Sequence, residues 1–286
     1  MKQRLAVNLF KVLAGAIFFG CVTGCRVLDP AEDIPSYVHI DCMTVNGSTG
    51  KITDAWIFMD GTLIGGFELP CTVPVLAEGT HHFIIRAGIK QNGLSSTRAI
   101  FPFYKGWEGD VTLTRTQTTD LNCLSVDYFP AITTVWSEDF NNSAGIGIIT
   151  DASYNPPLFR RGTDPAQQMP GQGGYGYVVC GAASSDSAMW IGRSGAAFAL
   201  DATGEVWLEV NYKCNESVSV GITGSANDFH EWVALLPSSD WNKIYIRLTD
   251  VIANAPSTSP YKIYFATQTT ASSGAYVYLD NIKLLK

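Results

Sequence analysis

The sequence predicts an all-β chain folded as two antiparallel sandwich domains, and three observations carry that expectation. Apolar residues alternate: in 205–213, Val206, Leu208, Val210 and Tyr212 fall on one face, and in 241–248, Ile244, Ile246 and Leu248 do the same. Gly, Pro, Ser and Asn punctuate the chain at short intervals, with Asp60-Gly61 a strong hairpin turn because Gly tolerates positive φ. No stretch of 37–123 shows helical spacing with caps. Composition agrees. Of 286 residues, 46% are apolar and only 16% charged, against about 25% charged in ordinary globular chains. That balance excludes a disordered chain or a coiled coil, and the length suits two domains with separate cores. A net charge of −7 excludes sequence-independent nucleic-acid binding, which needs clustered Lys and Arg.

Residues 1–24 form the first element. Lys2, Arg4 and Lys11 precede the apolar run 12–20, which is too short for a stable membrane span and reads as a secretory signal. Val22-Thr23-Gly24-Cys25 resembles a bacterial lipobox. The resemblance implies cleavage before Cys25 and acylation of that residue with diacylglycerol and a further acyl chain such as palmitate. Several chains on one residue give durable anchoring. The plain alternative is a secreted protein in which Cys25 is incidental. Cys21 fits less well, because Phe18-Phe19-Gly20 places rings where small residues belong. Loss of the signal leaves 16 basic against 26 acidic residues, a charge of −10. Residues 25–36, with two Pro and three acids, read as a lipidated tether. Arg26 replaces the Asp of inner-membrane retention, and Asp29, Glu32 and Asp33 resemble the acidic export tract of Bacteroidetes surface lipoproteins. The address expected is the outer membrane, facing the cell surface, with the periplasmic face left open.

Residues 37–123 make the next unit. The strand 51–59 turns at Asp60-Gly61 into 62–65, and Glu78-Gly79 leads into 81–86; Val111 and Leu113 share a face in 110–114. The run Ala55–Gly65 followed by Leu76–Phe83 is similar to the PEGA-type, Ig-like β-domain, which implies a non-catalytic surface module. Beyond Cys21 and Cys25, five cysteines remain: Cys42, Cys71, Cys123, Cys180 and Cys214. An odd number without CxxC spacing does not suggest a disulfide framework or a zinc site, although one pair could be oxidised outside the cytoplasm. Cys180 and Cys214 read as small buried hydrophobes.

Residues 124–135 read as a connector, and 136–286 as the second domain. Within it, 205–213 and 217–222 are expected to form a hairpin through Asn215-Glu216. Glu138-Asp139-Phe140, Trp241–Ile246 and Leu279-Asp280-Asn281-Ile282 resemble the galactose-binding-like jelly roll shared by many carbohydrate-binding modules. The resemblance spans nearly all of 136–286 and implies fold more than ligand. It also implies a structural Ca²⁺ where first and last strands meet. Glu138, Asp139 and Asp280 would supply some of the six to eight oxygens that Ca²⁺ takes; the plain alternative is that they cap strand ends. No other cofactor is expected.

For a sugar, the currency is an exposed ring facing pyranose C–H groups. The candidates are Trp207, Trp232, His230 and Trp190, with Tyr175 and Tyr177 behind them. Trp207 leads because it lies opposite the apolar Val206/Leu208/Val210 face, although an outward Trp is more often covered by a loop. Catalysis has little support: His39, His81, His82 and His230 are the only histidines, and neither Gly-x-Ser-x-Gly nor His-Glu-x-x-His occurs. His81 and His82 adjoin on a strand and so point to opposite faces. Glu205, Glu209 and Glu231 read as solvated strand positions. Gly171–Gly176 reads as a flexible loop rather than a phosphate cradle. The expectation is a non-catalytic ligand-binding lipoprotein, with a glycan the first ligand. A scaffold or accessory subunit docked on an outer-membrane β-barrel or other surface protein is the alternative, and a glycan-active hydrolase the third reading.

Overall fold

The computed structural model describes residues 32–142, 146–154, 156–181, 188–224, 228–255, 259–269 and 274–286. Cys25 and most of the tether lie outside the described residues. The chain is all-β, with one six-residue α-helix and one short 3-10 turn among the described residues.

The first sandwich holds β1 (Ser36–Ile40), β2 (Cys42–Val45), β3 (Asp54–Met59), β4 (Thr62–Glu68), β5 (Cys71–Val75), β6 (Gly79–Lys90), β7 (Arg98–Ile100), β8 (Trp107–Leu113), β9 (Thr118–Asp120) and β10 (Cys123–Val126). One sheet has the order β4-β3-β6-β7 with β8 also on β6; it faces the small sheets β5-β1-β9 and β10-β2. Val38, Ile40, Ile57, Phe83, Ile85 and Leu113 share its core. The Asp60-Gly61 turn forms as expected: both residues take positive φ, and Met59 pairs with Thr62. Two features depart from the sequence reading. β1–β9 and β2–β10 pair in parallel rather than antiparallel. That second pairing sets Cys42 directly opposite Cys123, and the two form a disulfide across 81 residues. Sequence spacing carried no sign of it, because only the long-range register brings the two thiols together.

The second sandwich holds β11 (Thr134–Glu138), β12 (Ile148–Thr150), β13 (Arg160–Gly162), β14 (Tyr175–Cys180), β15 (Met189–Ser194), β16 (Trp207–Cys214), β17 (Val218–Thr223), β18 (Phe229–Leu235), β19 (Ser238–Arg247), α1 (Thr249–Asn254), β20 (Lys262–Gln268) and β21 (Ala275–Leu285). A six-stranded sheet, β13-β14-β21-β16-β19 with β11 on β21, packs on a five-stranded sheet, β12-β15-β20-β17-β18. Val178, Leu208, Ile246 and Leu279 from one meet Trp190, Val220, Leu235 and Phe265 from the other in a jelly-roll core. The expected hairpin over 205–222 does not form. β16 pairs with β19 and β21, while β17 pairs with β18 and β20, so the chain crosses between sheets there. Asn215 holds the crossing, its amide donating to Gly274 O and its Oδ1 accepting the N–H of Tyr276. The stretch 124–135, read as a connector, contributes Leu124–Val126 to β10 and Thr134-Val135 to β11.

The six-stranded sheet is covered on both faces. Its inner face makes the jelly-roll core, whereas Trp207, Tyr245 and Leu285 on the outer face belong to the core of the first sandwich. Antiparallel register explains why they act together: Trp207 lies opposite both Arg247 and Leu285, and Glu209 lies opposite both Tyr245 and Lys283.

Candidate functional site

The junction between the sandwiches is built from aromatic rings around a buried polar centre. Phe101 stands edge-on to Trp207 at 5.3 Å and tilted against Tyr245 at 4.8 Å. Such ring contacts add about 0.5–1.5 kcal/mol each beyond the area they bury. The Tyr104 and Tyr245 hydroxyls are hydrogen-bonded at 3.0 Å. Burial, above all, pushes the pKa of Tyr104, Tyr128 and Tyr245 upward, so all three remain neutral donors. Glu209 is 0% exposed. It pairs with Lys243 Nζ at 2.5 Å and accepts Tyr128 OH on both oxygens at 2.9 and 3.0 Å. Thr49 Oγ1 donates to Asn211 Oδ1 at 2.8 Å, and Lys283 Nζ to Ser48 Oγ at 2.6 Å. Glu209 is therefore not a solvated strand residue. Glu205 accepts from Arg247 on both oxygens, at 2.9 and 3.0 Å, and from the Trp207 indole N–H at 2.7 Å, while Glu231 remains exposed beside Ser219.

At one margin of this junction a cleft of about 670 Å³ opens, within the roughly 300–1,000 Å³ typical of small-ligand sites. It lies where the chain passes from β18 to β19 through Leu236-Pro237, at the edges of the two sheets of the jelly roll. The opposite wall is the Asn92-Gly93-Leu94 turn of the first sandwich, with Lys51, Thr53 and Lys90 beside it. Asn92 and Gly93 both take positive φ, 55° and 75°. That turn caps the free edge of β19: Asn92 N donates to Tyr245 O at 2.8 Å, and Arg247 N donates to Asn92 Oδ1 at 2.9 Å. A Cβ at Gly93 would stand 3.0 Å from Ile244 Cδ1, a tight contact with the end of a side chain, and the positive φ is the stronger reason for Gly there.

Trp232 is the aromatic ring of the cleft. On β18, Val233 and Leu235 enter the core, which turns Trp232, Ala234 and then Leu236 outward into the cleft. The Trp232 indole N–H donates to Arg247 O at 2.8 Å, which holds the ring while 37% of the residue stays exposed. Tyr212, Ser238 and Asn242 supply hydroxyl and amide groups nearby. His230, two residues before Trp232, is half-buried, lies 2.6 Å from Asp228 and does not line the cleft.

The two remaining tryptophan candidates are corrected by their burial. Trp207 is 2% exposed because the first sandwich covers its face of β16. Trp190 is fully buried, stacked on Phe159 at 5.4 Å with its N–H donating to Thr150 Oγ1. Neither can stack on a ligand. Tyr175 and Tyr177 join a different group on the part of the six-stranded sheet beyond the junction. Tyr177 stacks on Tyr278 at 5.9 Å; Tyr276 and Trp241 stand edge-on to Tyr278, and Lys213 Nζ lies 4.9 Å from its centroid.

Of the acids expected to hold calcium, Asp280 is buried, and burial together with the charges of Asp139 and Glu138 pushes its pKa up to about 7. Its Oδ2 has no hydrogen-bond partner. Glu138 spends its oxygens on the N–H groups of Phe140 and Gly147, and Asp139 Oδ1 accepts Asn141 N. The carboxylates are thus neighbours, but most of their oxygens are turned to backbone, and among the described residues no three Asp, Glu, His or Cys converge as a metal set.

Sequence reasoning missed Lys51, Asn92 and the Leu236-Pro237 crossing as parts of one site. The one local signal was Asn92-Gly93, a pair suited to successive positive φ.

Among known proteins, no family model and no curated protein matches the chain. Solved structures similar to it include the K1 cleaved adhesin domain of Lys-gingipain from Porphyromonas gingivalis, at 15% identity over 53% of this chain and 97% of that one, with a TM-score of 0.39. A family 29 carbohydrate-binding module is similar at 12% identity over 54% of this chain and 85% of that one, TM-score 0.34. The N-terminal modules of Clostridium thermocellum endo-1,4-β-D-xylanase 10B, complexed with xylohexaose, are similar at 13% identity over 54% of this chain and 28% of that one, TM-score 0.36.

Proposed function

We propose that this protein is a lipid-anchored, non-catalytic glycan-binding protein of the outer membrane, and that its ligand lies in the inter-sandwich cleft against Trp232. The observation that carries the reading is a half-open indole, held by its own N–H, in a cleft of saccharide size flanked by amide and hydroxyl groups. No Asp or Glu lines the cleft among the described residues, whereas glycoside hydrolysis needs two carboxylates across the bond. Support for the address comes from Val22-Thr23-Gly24-Cys25 and from the Cys42–Cys123 disulfide, a bond that persists in oxidising compartments outside the cytoplasm.

A second site is favoured by one specific observation, the ring cluster of Tyr177, Tyr276, Tyr278 and Trp241, which could also receive sugar faces. Screening the purified protein against a broad glycan array tests the function, with binding to a defined subset expected; an array without binders contradicts it. Replacing Cys25 by Ser tests the anchor. Incorporation of labelled fatty acid should cease, and label retained in the variant would remove Cys25 as the acylated residue.

A further inference from the structure

We infer that the cleft selects acidic saccharides, those bearing a carboxylate or sulfate, over neutral ones; this rests on the glycan reading of the same cleft. The chain as a whole is acidic, with 26 Asp and Glu against 19 Lys and Arg. The cleft reverses that balance: Lys51, Lys90 and Lys243 line it, and no acid does among the described residues.

The three ammonium groups are not equivalent. Lys243 is neutralised by Glu209 at 2.5 Å, so it contributes structure rather than a binding charge. Lys51 makes no ion pair among the described residues; its Nζ donates to the neutral Asn242 Oδ1 at 2.5 Å. Lys90 has Glu68 at 3.9 Å, but Glu68 takes its shorter contact, 2.9 Å, from Arg98. Burial and the charge of Lys90 both lower the pKa of Lys51. Two like charges thus face one partly enclosed space, Lys51 with no ion pair among the described residues and Lys90 with only the long Glu68 Oε1 contact at 3.9 Å. An anion beside them offsets the repulsion and the cost of burying Lys51. A neutral sugar relieves neither.

The geometry also says how selectivity would be divided. Trp232 on the β18 wall offers an apolar face to any pyranose ring. Lys51 and Lys90, on the wall from the first sandwich, would take the acidic group as charge-assisted hydrogen-bond donors. Affinity for the ring and choice of charge would then come from different sandwiches.

The test uses the full-length protein on an array carrying neutral, uronate-bearing and sulfated glycans. Binders confined to the acidic classes are expected, with uronate and sulfate arms showing which acid is preferred. Neutral binders of equal strength overturn the inference and leave glycan binding standing; no binder of any class overturns both. For a uronate binder, its methyl ester is the matched neutral probe, and about tenfold weaker binding of the ester is expected, with the gap closing at high salt. Lys51→Met and Lys90→Met should each erase most of that preference while retaining the melting temperature. A preference unchanged in both variants would show that the charge is read elsewhere.

Discussion

Trp207 and Trp232 each stand one residue before an aliphatic side chain of the jelly-roll core, Leu208 and Val233, and meet opposite fates. Each follows the alternation of its strand, and each points away from the jelly-roll core. Trp207 is sealed under Phe101 of the first sandwich, whereas Trp232 opens into a cleft. The difference lies in what stands beyond the sheet. Alternation tells which side chains share a face, and only tertiary docking tells whether that face meets water, another sheet or a ligand.

Truncating the two rings breaks the comparison most sharply. Trp207→Ala leaves a cavity in a closed core and should cost about 3–5 kcal/mol in urea unfolding. Trp232→Ala, at an exposed site, should cost under about 1 kcal/mol. Equal losses would mean that the two faces are covered alike.

Next is the polar side of the covered face. Asp280 on β21 has a pKa raised to about 7, against about 3.9 for an unfolded Asp. A carboxyl that holds its proton more tightly when folded contributes stability at low pH and loses it as pH rises through about 4 to 7. The loss amounts to roughly 3–4 kcal/mol above pH 7. Asp280→Asn should therefore unfold later than wild type at pH 8 and flatten that part of the stability profile; a variant with the wild-type pH dependence would place the titration elsewhere.

Glu209→Gln should follow at about 3 kcal/mol, because it leaves the Lys243 ammonium buried without its counter-charge. The control is Glu231→Gln on the open sheet, where a change within about 0.5 kcal/mol is expected from chemical denaturation.

The sequence revealed the strands more readily than their surroundings. Alternation located β16, β19 and β21, and Asp60-Gly61 located the β3–β4 turn, because these signals are local. β18, which carries Trp232, was not recognised, since Phe229-His230-Glu231-Trp232 mixes polar and aromatic residues on an edge that faces a cleft. The Cys42–Cys123 bond depends on a parallel register across the first sandwich. The burial of Glu209 depends on Tyr128, from the stretch read as a connector. Trp232 was identified as a candidate by residue type alone; the residues around it come from four separated segments that no local pattern joins.

The most direct measurement is calorimetric titration of one array-selected glycan into wild type, Trp232→Ala and Tyr278→Ala. Binding in the inter-sandwich cleft predicts that Trp232→Ala abolishes the heat of binding and that Tyr278→Ala keeps wild-type affinity. Wild-type affinity in Trp232→Ala, with loss in Tyr278→Ala, would contradict the account and move the site to the tyrosine cluster.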